Sequence, residues 1–334
     1  MPNLGVGDLA QALVLGRHSA SLKNALQALS TEVATGLVVD QTQRLAGDYA
    51  ALAGIEGSLT QLRAYHAVTT ETGILASVMQ TALTSMADHA TALGSSLLAA
   101  ATGSSPTRID TLGEEARQRL QSVMSALNAQ VGGRNVFSGI ATDRSAVTDS
   151  ETMMTALDAA VAGATSSADV ETAVAAWFAD PLGFAATVYQ GGTPLEPVPI
   201  SANETAQISV TARDLAIVTT LKGLAMAALL QRGVLAGSAG ARSDLAKRAG
   251  ESLASSAGAR AELQARIGTT EAGIADAATR NSAERAALET ARLGLLSVDP
   301  YDTVAKLQQT QTQLETLYAV TARLSRLNLV DFLR

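Results

Sequence analysis

The sequence predicts a mainly α protein: an elongated bundle of long antiparallel helices, with coiled-coil termini and a small α/β insert. Three observations carry this expectation. Matching apolar stripes lie near both ends of the chain, helical periodicity fills most of the length between them, and only residues 140–212 lose it. The composition agrees, because just 3% of the 334 residues are aromatic, with one Trp and seven Pro. Few aromatics and many Ala favour close-packed helices over several bulky cores.

Segment 1–40 reads as a coiled-coil helix, with Leu15, Ser19, Leu22, Leu26, Leu29 and Val33 at spacings of four and three. Gly36 closes it, and 37–40 read as extended. Segment 41–139 is the first half of a helical rod. One long helix is expected from about 43 to 101, with Leu75, Met79, Ala82, Met86 and Leu93 on its seam. Thr102-Gly103-Ser104-Ser105-Pro106 breaks it, and a further helix through Leu112, Leu120, Val123 and Leu127 reaches Val131.

The insert, 140–212, is expected to hold short helices at 150–163 and 168–179. Short strands are expected near 187–189, 198–200 and 207–211, the whole forming a body separate from the rod. Segment 213–298 is the second half of the rod, with a break near 237–240. Within it Ile267, Ile274, Asn281, Leu288 and Leu295 recur every seven residues. Asn281 is the candidate register residue, and its replacement by leucine is expected to stabilise the core while loosening register.

Segment 299–334 is the C-terminal coiled-coil helix. Asp299 is its N-cap, Pro300 its first residue, and Asp302 sits in the first turn. Its apolar face comprises Val304, Leu307, Leu314, Leu317, Tyr318, Leu324 and Leu327, with Phe332 near the end. A stripe of this kind is costly to leave in water. The termini are therefore expected to pack on each other or on neighbouring copies, and these stripe residues form the candidate assembly interface.

Chemistry is harder to find. The net charge of −7, without clustered cations, disfavours nucleic acid. The absence of cysteine removes disulfides, thiolate metal sites and cysteine nucleophiles. His18, His66 and His89 lie far apart with no second metal ligand at helical spacing, so neither a metal site nor a cofactor is expected. No nucleophile elbow, zinc-protease helix or phosphate loop occurs. Asn203-Glu204-Thr205 fits a glycosylation sequon but is read as coincidence. The first twenty residues lack a secretory-signal pattern, and the apolar stretch 215–230 is too short to span a bilayer. The chain is expected to be no enzyme and to have no membrane partner.

Several short runs carry a resemblance. Leu29-Ser30-Thr31-Glu32-Val33-Ala34-Thr35-Gly36 resembles the end of the first helix in the flagellin superfamily. Leu307-Gln308-Gln309-Thr310-Gln311-Thr312-Gln313-Leu314-Glu315 and the run from Leu324 to Leu333 look like the end of its hook-associated protein 3 branch. Gly132-Gly133-Arg134-Asn135-Val136-Phe137-Ser138-Gly139 is similar to the turn leading into that branch's variable outer domain. Val38-Val39-Asp40 and Gly47-Asp48-Tyr49 depart from the flagellin pattern itself.

The resemblance implies an extracellular protein of the bacterial flagellum, exported unfolded without a cleaved signal. It would form a one-subunit-thick ring of copies between hook and filament. Its neighbours would be hook-associated protein 1 on the hook side and flagellin on the filament side, with an export chaperone before assembly. A filament-forming flagellin is the nearest alternative. A helical scaffold of the methyl-accepting type and an enzyme housed in the insert are the others. The first is weakened by the missing membrane span, and the second by the lack of a titratable cluster.

Overall fold

The computed structural model describes residues 6–101 and 106–332, and the side chains of 10, 11, 13–101 and 106–324. The chain is mainly α, with eleven helices and four two-residue strands among the described residues. It divides into two compact units, residues 1–61 with 283–334, and residues 62–282. Both divisions fall inside helices, α3 (Ala50–Ala101) and α10 (Ala257–Leu296), which contribute to both units.

The first unit holds α1 (Val6–Thr35), α2 (Gln41–Arg44), the start of α3, the end of α10, and α11 (Pro300–Phe332). Gly36 ends α1 at φ +71°, with its N–H on the Glu32 carbonyl at 2.8 Å. Only glycine reaches that backbone region without strain. The helix expected from 43 is interrupted before α3 begins. Ala46 and Gly47 take φ +49° and +81°, so α2 is a single turn. Asp48 then accepts from the Ala50 N–H at 3.0 Å, close to the start of α3.

The second unit is built around α8 (Leu215–Ala228). Helices α4 (Pro106–Leu127), α6 (Ser167–Ala179) and α9 (Ala239–Ser255) pack on it. Ile217, Leu221 and residues 224–230 are fully buried, which explains an apolar stretch too short for a membrane. Among the described residues, no helix is long and apolar enough to cross one. The α4 crossing is tight: a Cβ on Gly113 would lie 2.7 Å from the Gln231 backbone nitrogen. Met79, Met86, Met124, Met153, Met154 and Met226 are all at most 2% exposed and line the same core.

The insert is more helical than its sequence suggests. It holds α5 (Ser150–Val161), α6 and α7 (Phe184–Thr187), while the strand expected at 187–189 reduces to a bridge between Val147 and Tyr189. The ladders β1 (Gln130–Val131) with β2 (Arg134–Asn135), and β3 (Val198–Pro199) with β4 (Thr205–Ala206), are two residues long. Nor is the insert a separate body. Met153, Leu157, Val170 and Val174 join one apolar cluster with Leu120, Leu224 and Leu245. Helices of 12 and 13 residues have too little surface to bury their faces on each other alone.

The hairpin 198–206 closes over α10. Ile200 and Ala206 pack with Ile274, Ala277 and Val68, and Arg280 pairs with Glu204 at 2.5 Å. Asn281, 6% exposed, donates its side-chain N–H to the Ile200 carbonyl at 2.7 Å. The polar seam position is therefore read by a backbone carbonyl of the hairpin, and the expectation that leucine would stabilise this site reverses.

Candidate assembly interface

In the first unit α1 packs along α11. Leu15, Ser19, Leu22, Leu26 and Leu29 are half-buried on α1, as are Leu307, Leu314, Leu317 and Leu324 on α11. Three further stripe residues are mainly exposed, Val33 at 41%, Val304 at 37% and Tyr318 at 47%. Leu327 and Phe332 lie within the helical span of α11, but their side chains fall outside the described residues. Asn281 belongs to the second unit and takes no part.

Two threonines complete the α11 seam. Thr303 and Thr310 are 4% and 9% exposed and sit at heptad spacing with Leu307, Leu314 and Leu317. Their hydroxyls donate back to the Asp299 and Lys306 carbonyls at 2.7 and 2.8 Å, so burial leaves neither unsatisfied. Counting threonine as able to turn inward would have found them.

The rim is polar. The Lys23 ammonium lies 5.8 Å from the centre of the Tyr318 ring. Hydrogen bonds from Lys23 and then Ser19 hold the Tyr318 hydroxyl below its ordinary pKa. This contact fixes α1 against α11 at one height without burying either side chain.

The base of the pair is stapled by backbone. Leu37 bridges Ser297 in antiparallel fashion. The Val38 N–H donates to the Leu296 carbonyl at 2.9 Å and the Val298 N–H to the Gly36 carbonyl at 3.0 Å. Arg44 reaches the Leu295 and Ser297 carbonyls at 3.3 and 3.4 Å. The Glu32 carboxylate accepts from the Val39 N–H at 2.9 Å. Asp299 caps α11, accepting from the Tyr301 and Asp302 N–H groups at 2.8 and 3.2 Å. Arg44 reaches across 251 and 253 positions of sequence, and local periodicity carries no signal for such pairing.

Coverage is incomplete. No described residue of α1 is fully buried. Leu13 and Val14 stand 57% and 64% exposed, and on α11 Val320 is 46% exposed. A two-helix pair covers one side of each stripe and leaves the other to water. Chemically, the arrangement offers apolar surface and hydrogen-bonded backbone. Among the described residues no group of three or more His, Asp or Glu is placed to hold a metal.

Residues 256–333 match the family model of the bacterial flagellin C-terminal helical region. This segment contains the whole of α10 and α11, and so half of the interface above. The fold is similar to that of a protein of Vibrio parahaemolyticus described as a flagellar hook-associated protein. The TM-score there is 0.52 at 16% identity, over 74% of this chain and 98% of that one. FlgL of Bacillus cereus aligns with a TM-score of 0.49 at 14% identity, over 73% of this chain and 98% of that one. Among curated proteins none matches in sequence. At such identity the likeness to the Vibrio protein shows a shared, mainly α fold.

Proposed function

We propose that this chain is a structural protein of the bacterial flagellum, forming the junction ring between hook and filament. The observation that carries the reading is the half-covered seam of α1 and α11. Apolar stripes that one partner helix cannot cover are completed by further copies of the same pair. The flagellin-type C-terminal region supports the flagellar class. The fold shared with the Vibrio protein favours a hook-associated role over that of filament subunit. The chain would act without enzymatic chemistry or cofactor. Its partners are further copies of itself, hook-associated protein 1 on one side and flagellin on the other, with an export chaperone beforehand. Its site of action is the extracellular flagellum.

Leu314→Asp tests this. Burying such a leucine is worth roughly 1.5–3 kcal/mol, and an unpaired charge in its place costs more. The variant is expected to keep the helical circular dichroism of the second unit yet fail to add to hook ends. Cells carrying it should release unpolymerised flagellin into the medium. Normal swimming with full-length filaments would overturn the reading. Growth of long filaments from the purified wild-type chain, without hooks, would assign it to flagellin instead.

A further inference from the structure

The chain's net charge is concentrated in the insert. Residues 140–212 contain nine carboxylates and a single basic residue, Arg144, so the segment carries 1 − 9 = −8. The whole chain carries −7, which leaves the remainder at +1. Four of the nine carboxylates are held by arginines from outside the segment. Arg232 pairs with Glu151 and Asp158, Arg248 with Glu171, and Arg280 with Glu204. Asp149 and Asp169 serve as helix caps, bonded to N–H and hydroxyl groups that leave their charge in place. The Asp180 carboxylate accepts from the Leu182 N–H, Glu196 is exposed, and Asp143, 78% exposed, meets Arg144 at a loose 3.9 Å.

We infer that the insert acts as an electrostatic spacer between copies, opposing the self-association that the terminal helices drive. The inference rests on the proposed self-assembly of this chain. Any ring or helical array of identical copies repeats the insert at one common radius, so inserts of neighbouring copies recur side by side around the assembly. Surface charges act over a Debye length of about 30 Å at 10 mM salt and about 8 Å at 150 mM. The spacer is thus strong in dilute salt and largely screened at physiological strength. It sets how readily monomers associate before they reach a templating end, while the apolar seam sets whether they associate at all.

The test is sedimentation of the purified full-length chain across a concentration series in 10, 50 and 150 mM NaCl. It is run beside two triple variants of equal charge change. D143N/D180N/E196Q removes charge from the insert, and D244N/E262Q/D276N removes it from exposed positions on α9 and α10. The wild type should half-associate at a concentration that falls several-fold as salt rises. The insert variant should associate more readily than wild type at 10 mM, with the gap closing by 150 mM. The α9–α10 variant should follow wild type. Association that ignores salt, or two variants that behave alike, would overturn the spacer while leaving self-assembly standing. No association of any chain at any salt would overturn the spacer, while assembly at hook ends would stand or fall on the Leu314→Asp test. Melting of the insert variant at the wild-type temperature excludes misfolding as the source of its behaviour.

Discussion

Replacing Asn281 by leucine removes the donor that serves the Ile200 carbonyl, in a pocket where water cannot take its place. A buried acceptor left unpaired costs about 1–3 kcal/mol, so the variant should melt below wild type. A melting point equal to or above wild type would show that the hairpin swings away and the carbonyl finds water. Gly113→Ala tests packing of a different kind. Its new methyl would meet the backbone at Gln231 rather than a flexible side-chain tip. Overpacking of that sort costs roughly 1–3 kcal/mol, more than alanine's helix propensity returns. Chemical denaturation should give a lower midpoint with an unchanged slope.

The helices differ sharply in how they are held. α8 is fully buried along most of its length, whereas α1 has no fully buried residue among those described. Amides of residues 10–35 should therefore exchange through local opening, and those of α8 only through unfolding of its unit. Hydrogen exchange of dilute monomer checks this, and equal protection of both helices would contradict it. Short helices depend on their caps. Asp149 accepts from the Thr152 N–H at the start of α5, and this bond chiefly lowers its pKa. Asp169, in the capping box of α6, is lowered first by the Ser166 hydroxyl and then by Thr165. A lowered folded pKa means that the stabilisation is complete above the ordinary carboxylate range and lost as pH falls through the folded value. Asp149→Asn should accordingly melt below wild type at pH 6, and the difference should shrink as pH falls below the ordinary carboxylate range.

The long helices were legible because each is punctuated by residues with a local reason to be there. Gly36 supplies positive φ, and Asp299-Pro300 supplies a cap and a preset first residue. The turn at 45–49 escaped notice because its key positive φ falls partly on an alanine, Ala46, which does not announce it. The insert holds less β structure than expected because its proline-rich stretch is extended, yet only 198–199 and 205–206 pair into a ladder. Its burial against α4, α8 and α9 depends on tertiary neighbours that no window of sequence contains.

For the molecule as a whole, the stripes lie on two helices that pack together, α1 and α11, but do not follow the outline of their contact. Val33, Val304 and Tyr318 satisfy the periodicity yet stand largely in water, while Thr303 and Thr310 fail an apolar count and are buried. Helical phase drifts along an uncoiled helix, so a stripe counted by spacing alone leaves the contact line within a few turns. The staple joining residues 36–38 to 296–298 was invisible for another reason, since its bonds are made by backbone groups common to every sequence.

The buried methionines give the molecule a chemical property. The chain has no thiol, and every methionine whose side chain is described is at most 2% exposed. Peroxide therefore has almost no sulfur to attack while the core is closed, and sulfoxide formation should keep pace with opening of the second unit. In dilute hydrogen peroxide the six core methionines should gain little oxygen mass while the chain is folded and should react together once denaturant opens it. At the extracellular site proposed for this chain, such burial would keep the packing free of sulfoxide for as long as the fold holds.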